Sequence, residues 1–288
     1  MKFTRTLAAL VLSLAFVVPS FAQSSTPITL EMHMPKGAAY TILTDMTQKI
    51  NGTSSGIDVK IDQHMVFGMS MKVKEAKKDG NQVLTTKYDR LAITQNVDAG
   101  GQQIETIVDT KDPSKNKGDA AEEIAPRLTK LIGVSYNSEY DKYGAQVSTD
   151  LDSVIAKYQV SDFAGNSENN QYAVVFPDHP VSIGDSWHAK TVKNEGGQDL
   201  TTDVTYTLKS VGTTTAEIGF ESHIVGLIAE GSLDATMNGS YTVSLKTGWT
   251  SNATMQMEMN MKVKEQGTGT ESPMKITSNF TITSEPKK

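Results

Sequence analysis

The sequence predicts a mainly β protein, a curved antiparallel sheet or half-barrel with internal duplication and one or two short helices. Three observations predict it. Apolar residues fall on alternate positions over long runs, the period of a strand with one buried face. Clusters of Gly, Asn, Asp and Ser punctuate those runs as hairpin turns do. Glycine and aromatic positions recur: Gly37 with Tyr40 is echoed by Gly184 with Trp187, and Gly133, Tyr136 and Gly144 by Gly239, Tyr241 and Gly248.

At the start of the chain, Lys2 and Arg5 precede an apolar run from Leu7 to Val18, too short for a membrane helix but suited to a signal segment. Pro19 ends the run, and the small residues Ser20 and Ala22 place a cleavage site between Ala22 and Gln23, so residues 1–22 read as a signal peptide. No later stretch has the ~20 consecutive apolar residues of a membrane span. The expected location is periplasmic or secreted.

The first alternation, Ile28, Leu30, Met32 and Met34, ends at Pro35 and Gly37, and a second begins at Tyr40, Ile42 and Met46. Asn51, Gly52, Ser54, Ser55 and Gly56 form a predicted turn cluster. From Ile57 to Val73 the apolar parity includes Met65, Phe67, Met69 and Met71, broken only by Gln63, while Asp58, Lys60, Asp62, His64, Lys72 and Lys74 take the other parity. At ~3.3 Å per residue this run would stretch about 60 Å, so it should bend or bulge, most cheaply at Gly68. Asp79, Gly80 and Asn81 turn into a strand through Tyr88 and Leu91, and Ile104 to Val108 suggests another.

Helical spacing occurs at Ile124, Leu128 and Leu131, shortened by Pro126, and at Leu151, Val154, Ile155 and Tyr158 after Thr149 and Asp150. These elements divide the chain into a first β repeat at 23–160, a polar connector at 161–171 and a second β repeat at 172–288, with alternation resuming at Tyr172; the two repeats form one domain. A further echo, Met-x-Met-Lys-Val-Lys-Glu at Met69 to Glu75 and Met259 to Glu265, lies outside that register and marks either two neighbouring strands or chance.

Composition excludes several chemistries. Without cysteine there is no disulfide, thiolate metal site or cysteine nucleophile. Removing residues 1–22 leaves 266 residues with 25 basic and 33 acidic side chains, a net charge of −8, which disfavours nucleic acid as a partner.

The methionine stripes are the candidate site: Met65, Phe67, Met69 and Met71 on one strand face, and Met255, Met257, Met259 and Met261 on another. Exposing four such side chains would forfeit on the order of 8 kcal/mol, so these faces should be covered. Ordinary core is one reading. An adaptable groove for an apolar, lipid-like ligand is the second, because unbranched thioethers repack around different shapes. A Cu(I) site drawing on Met32, His33 and Met34 is the third, although alternation sends His33 to the opposite side from its neighbours.

Other constellations are weaker. Glu31 with His33 and Asp62 with His64 could hold zinc if their strands were adjacent. Asp109, Asp112, Asn116 and Asp119 offer oxygen ligands without EF-hand spacing. Gly184, Asp185 and Ser186 resemble the start of a serine esterase motif, but no Asp-x-x-His follows; a strand-entry turn with Pro177 and Pro180 ahead of Trp187 explains them better. No catalytic residue, metal or cofactor is predicted.

Several phrases together, Tyr88-Asp89-Arg90, Pro180-Val181-Ser182-Ile183-Gly184-Asp185-Ser186-Trp187, Thr247-Gly248-Trp249 and Pro273-Met274-Lys275-Ile276, resemble a bacterial exported family of unknown function. The resemblance implies a curved antiparallel sheet similar to the half-barrels of periplasmic lipoprotein carriers, and implies no catalytic residues. The expected protein is therefore an exported envelope β protein, not an enzyme, with a lipid or an envelope protein as its partner; a structural or protein-binding module without a small ligand is the alternative.

Overall fold

The computed structural model describes residues 26–54, 56–158, 174–195, 198–228, 231–264 and 271–287. The signal segment at 1–22 and the connector at 161–171 lie outside the described residues. The strands are β1 (Ala39–Ser54), β2 (Ile57–Ala76), β3 (Gln82–Ala99), β4 (Gln102–Asp109), β5 (Ser135–Tyr140), β6 (Gln146–Thr149), β7 (Ser186–Glu195), β8 (Gln198–Val211), β9 (Thr215–Ile228), β10 (Gly231–Ser244), β11 (Thr250–Lys264) and β12 (Glu271–Pro286). Two helices, α1 (Asp119–Thr129) and α2 (Leu151–Tyr158), interrupt the first half.

All twelve strands belong to one antiparallel sheet ordered β6-β5-β3-β2-β1-β12-β11-β10-β9-β8-β7, with β4 also pairing β3. Two meanders thus meet at a single seam, where β1 pairs β12 from Tyr40–Pro286 to Gly52–Met274. The sheet is mainly β, curved and open rather than a closed barrel, as the alternation predicts.

β2 runs unbroken for 20 residues, with Met65, Met69, Met71 and Val73 buried and Asp58, Lys60, Asp62, His64, Lys72 and Lys74 exposed. The bend falls at Gly68, where the β2–β3 register shifts so that Gly68 faces Arg90 and Met69 faces Tyr88. Asp89 is the extra residue. A Cβ at Gly68 would approach Arg90 Cβ to 3.2 Å, so the missing side chain eases the bulge.

Four expectations are corrected. Asn51 and Gly52 are not in a turn: β1 continues to Ser54, because Gly52 pairs Val59 on one side and Met274 on the other. Ile28 to Met34 alternates as predicted, with Leu30, Met32 and Met34 buried, but forms an extended strap rather than a sheet strand. Its Met32 and His33 amides donate to Lys142 O and Thr247 O in two hairpin turns, so the strap's hydrogen bonds go across the sheet's rim. Pro126 lies inside α1, which runs on to Thr129. Tyr172 lies outside the described residues; among those described, regular strand structure in the second half begins at Ser186, Val174 to Val181 is irregular, and Phe176 N donates to Tyr143 O.

The echoed positions differ in setting. Gly37 and Gly184 both have positive φ just before a strand, whereas Gly133 has positive φ after α1 and Gly239 sits within β10. The Met-x-Met echo places its two copies on β2 and β11, which are separated by β1 and β12 and are not neighbours.

Candidate ligand-binding trough

Among the described residues, the inward parity of the eight consecutive strands from β3 to β8 carries no charged side chain. Following the register from β2 across β1, β12, β11 and β10 to β9 gives successive cross-strand rows. One such row is Met65, Met46, Phe280, Met255, Gly239 and Phe220, continued on β8 and β7 by Tyr206 and Trp187. The strap, the Val174–Val181 segment and Trp249 belong to the same apolar core, with the Trp249 indole donating to Ser284 Oγ at 2.8 Å.

Aromatic rings form a ladder here: Trp187 stacks on Tyr206 at 5.7 Å, Tyr206 lies 6.4 Å from Phe220, and Phe220 lies 5.0 Å from Tyr241. Gly239 leaves room for it, since a Cβ there would sit 2.9 Å from Phe220 Cε1. The surroundings are dry: burial pushes the Tyr206 hydroxyl up to about 12 and the Tyr241 hydroxyl higher still. Tyr241 donates to Met255 Sδ at 3.8 Å.

Toward the other strand ends burial among the described residues falls on β2, β1 and β11, while Ser222, Ala235 and Ile224 stay buried. The next row is polar, with Gln95, Gln63, Gln48 and Ser278 side by side, then Met257, Met237 and Ser222. Beyond it lie Ile61, Ile50, Ile276, Met259, Ala235 and Ile224, and beyond those Val59, Gly52, Met274, Met261, Leu233 and Gly226. The last row lies in an open trough of about 750 Å³, whose lining also takes in Asp58, Lys60, Asp234, Lys262 and Lys275 at its rim.

The predicted methionines therefore divide. Met65, Met69, Met71 and Met255 are buried, while Phe67, Met257, Met259 and Met261 are only half-buried. Both stripes face inward, joined through β1 and β12 rather than by direct pairing. Sequence reasoning missed Ile50, Gln48, Ile276, Met274 and Leu233, which enter this surface only through register.

The opposite face carries the charge. Lys49 pairs Asp62 at 3.8 Å, Lys275 pairs Glu258 at 3.1 Å, and His223 meets Asp234 at 3.1 Å. His64 meets Asp45 at 3.0 Å, while His33 Nδ1 contacts its neighbour's carbonyl, Glu31 O, so the two proposed zinc pairs are not brought together. The acidic loop is also internally satisfied: Asp109 accepts from Arg90, Asp112 from Ser114, and Asn116 from the Asp109 amide. Ser186 Oγ shares a hydrogen bond with Thr207 Oγ1 at 2.9 Å, and His188 instead contacts Thr205. Among the described residues no cluster of three or more His, Asp or Glu could hold a metal.

A sequence profile for a family of unknown function, DUF6263, matches residues 156–285. No curated protein matches the chain. Among solved structures, one titled "Lipid-protein interactions in lipovitellin" is similar at a TM-score of 0.47 and 10% identity, over 87% of this chain and 25% of that one. The chain thus spans a quarter of that protein's length. An outer membrane channel from Pseudomonas putida F1 is similar at a TM-score of 0.28 and 8% identity, over 88% of this chain and 97% of that one. The translocator domain of the autotransporter NalP from Neisseria meningitidis is similar at 0.25 and 8%, over 87% and 89% of the two chains. At these scores the likenesses say nothing of function.

Proposed function

We propose that this chain is an exported envelope protein, periplasmic or secreted, that binds an apolar, lipid-like ligand in the trough and performs no catalysis. One observation supports this most: the inward parity of the sheet continues past the point where the other described residues cover it, leaving Met257, Met259, Met261 and Met274 half-buried beside the trough. Leaving such a surface in water is costly, and a volume of about 750 Å³ falls within the range of small-molecule sites. Thioethers suit ligands of varied shape.

The charged outer face argues against a membrane barrel, which carries its apolar side outward. No helix among the described residues is long and apolar enough to cross a bilayer. The basic and apolar pattern before Gln23 supports export.

Native mass spectrometry of gently purified protein should show a lipid-sized adduct. Met261→Asp, which puts a carboxylate on the trough floor, should weaken an apolar fluorescent probe by at least about tenfold while leaving the circular dichroism spectrum unchanged. A clean apo mass over several preparations, with no probe bound by the unaltered protein, would overturn the reading.

A further inference from the structure

Beyond an apolar ligand, we infer that the Met259, Met261 and Met274 thioethers bind a soft monovalent cation, Cu(I), on the inner face of β11 and β12. Register brings the three together. Met261 is the direct cross-strand partner of Met274, and Met259 lies two residues from Met261 on the same face. Directly opposed side chains of an antiparallel pair have Cβ atoms about 4.5–5.5 Å apart, and a diagonal such as Met259–Met274 is about 7–8 Å, within reach of long side chains. Unbranched and freely rotating, three methionines so placed can converge on one ion. Met257 continues the same face and pairs Met237 on β10. Five of the thirteen methionines thus occupy adjoining inward positions of three strands.

Ordinary core packing does not account for the cluster. All five are half-buried rather than sealed, and Met261 and Met274 line the open trough. The β1 residue opposite Met274 is Gly52, so no side chain lies over this thioether from that strand. Thioethers are soft, neutral donors that select Cu(I), whereas imidazoles and carboxylates suit Zn(II) and Cu(II). The neighbouring donors of that second kind, His223 and Asp234, engage each other at 3.1 Å on the outward parity of β9 and β10. With no cysteine in the chain, no thiolate competes for the ion. The rim tolerates one added positive charge: Asp58 and Asp234 stand among Lys60, Lys262 and Lys275, and Lys275 is paired with Glu258 at 3.1 Å. By contrast, the triplet at Met32, His33 and Met34 is unsuited to the ion, since Met32 and Met34 are each 1% exposed and His33 lies on the exposed side of the strap.

The test titrates the full chain, isotopically labelled at its methionine methyl groups, with Cu(I) supplied as its acetonitrile complex under argon. In nuclear magnetic resonance spectra the Met259, Met261 and Met274 methyl signals should move together and saturate near a single equivalent. Those of the sealed Met69 and Met71 should stay in place, and equal additions of Zn(II) should move none. The double variant Met261→Leu, Met274→Leu conserves volume and apolarity, so it should weaken Cu(I) binding at least about tenfold while still binding the apolar fluorescent probe. Unchanged Cu(I) affinity in that variant, shifts spread over all methionines without saturation, or an equal response to Zn(II) would overturn the inference. Failure of the unaltered protein to bind the apolar probe would overturn the lipid reading alone, and a saturating Cu(I) response would still support this one. Should the double variant not fold, as judged by its Met69 and Met71 signals, Met274→Leu alone carries the same comparison.

Discussion

Asp109 shows how much a single side chain organises at the edge of the sheet. It is 6% exposed, accepts from Arg90 Nε at 3.2 Å and the terminal guanidinium nitrogen at 2.7 Å, and takes the Lys111 amide at 2.9 Å. The Arg90 guanidinium, aided by the Lys111 and Asp112 amides, holds its carboxyl below the ordinary carboxylate range. A carboxyl whose pKa is lower folded than unfolded contributes stability that is fully present above the ordinary range and is lost as the pH falls through the depressed value. Asp109→Asn should therefore cost about 1.5–3 kcal/mol near neutrality, and urea midpoints should show the gap between variant and unaltered protein closing in acid. An equal gap at neutral and strongly acid pH would refute the assignment. At this scale the sequence was a partial guide. Alternation told which side Met65 or Met259 takes, since that depends only on strand period. It could not tell that Gln63, the one break in the apolar parity, would meet Gln48, Gln95 and, through β1, Ser278, because those contacts are set by partners distant in sequence.

Among the elements, the strap and the Val174–Val181 segment are held by two turns that leave no space for side chains. Gly144 and Gly248 both have positive φ, and Cβ atoms there would lie 2.2 Å from Val174 O and 2.1 Å from Glu31 O. Only glycine combines that backbone with so close an approach. Gly248→Ala should displace the strap, lower stability by about 1–3 kcal/mol and expose Met32 to peroxide, read by peptide mass mapping; an unaltered melting curve with Met32 still protected would contradict this. The Gly248 phrase was visible in the sequence, but its reason was not, because the strap it admits begins more than two hundred residues earlier. Elements defined by local chemistry were more legible. Leu151–Tyr158 forms the expected helix, with the Leu151 amide on Thr149 Oγ1, and Gly184 turns the chain into a strand where Trp187 donates to Val175 O at 2.7 Å. The strap itself was misread as a strand because extended backbone has the same period whether or not it joins a sheet.

For the molecule as a whole, the decisive contact is the β1–β12 seam. The profile match at residues 156–285 takes in β12 up to Glu285 but not β1, so that segment alone would present β12 as an uncovered edge with Phe280 and Ile282 on its inner side. Long unpaired edges associate. Residues 174–287 expressed alone should form oligomers or precipitate by size-exclusion chromatography, and adding residues 26–158 as a separate chain should restore a soluble pair. A monomeric, cooperatively melting fragment would show that the second meander is self-sufficient. Curvature and the uncharged interior were readable from the sequence, through the long β2 alternation and Gly68. Which strands would meet was not, and the trough depends on that.

The seam also sets an order of events. Gln48 and its partner Ser278 are 230 residues apart, so the middle of the sheet cannot be assembled while the chain is still emerging from the ribosome. β1 must wait with its future pairing edge bare, and contacts this distant are slow to form. Shielding β1 during that interval should therefore raise the yield of correctly paired protein.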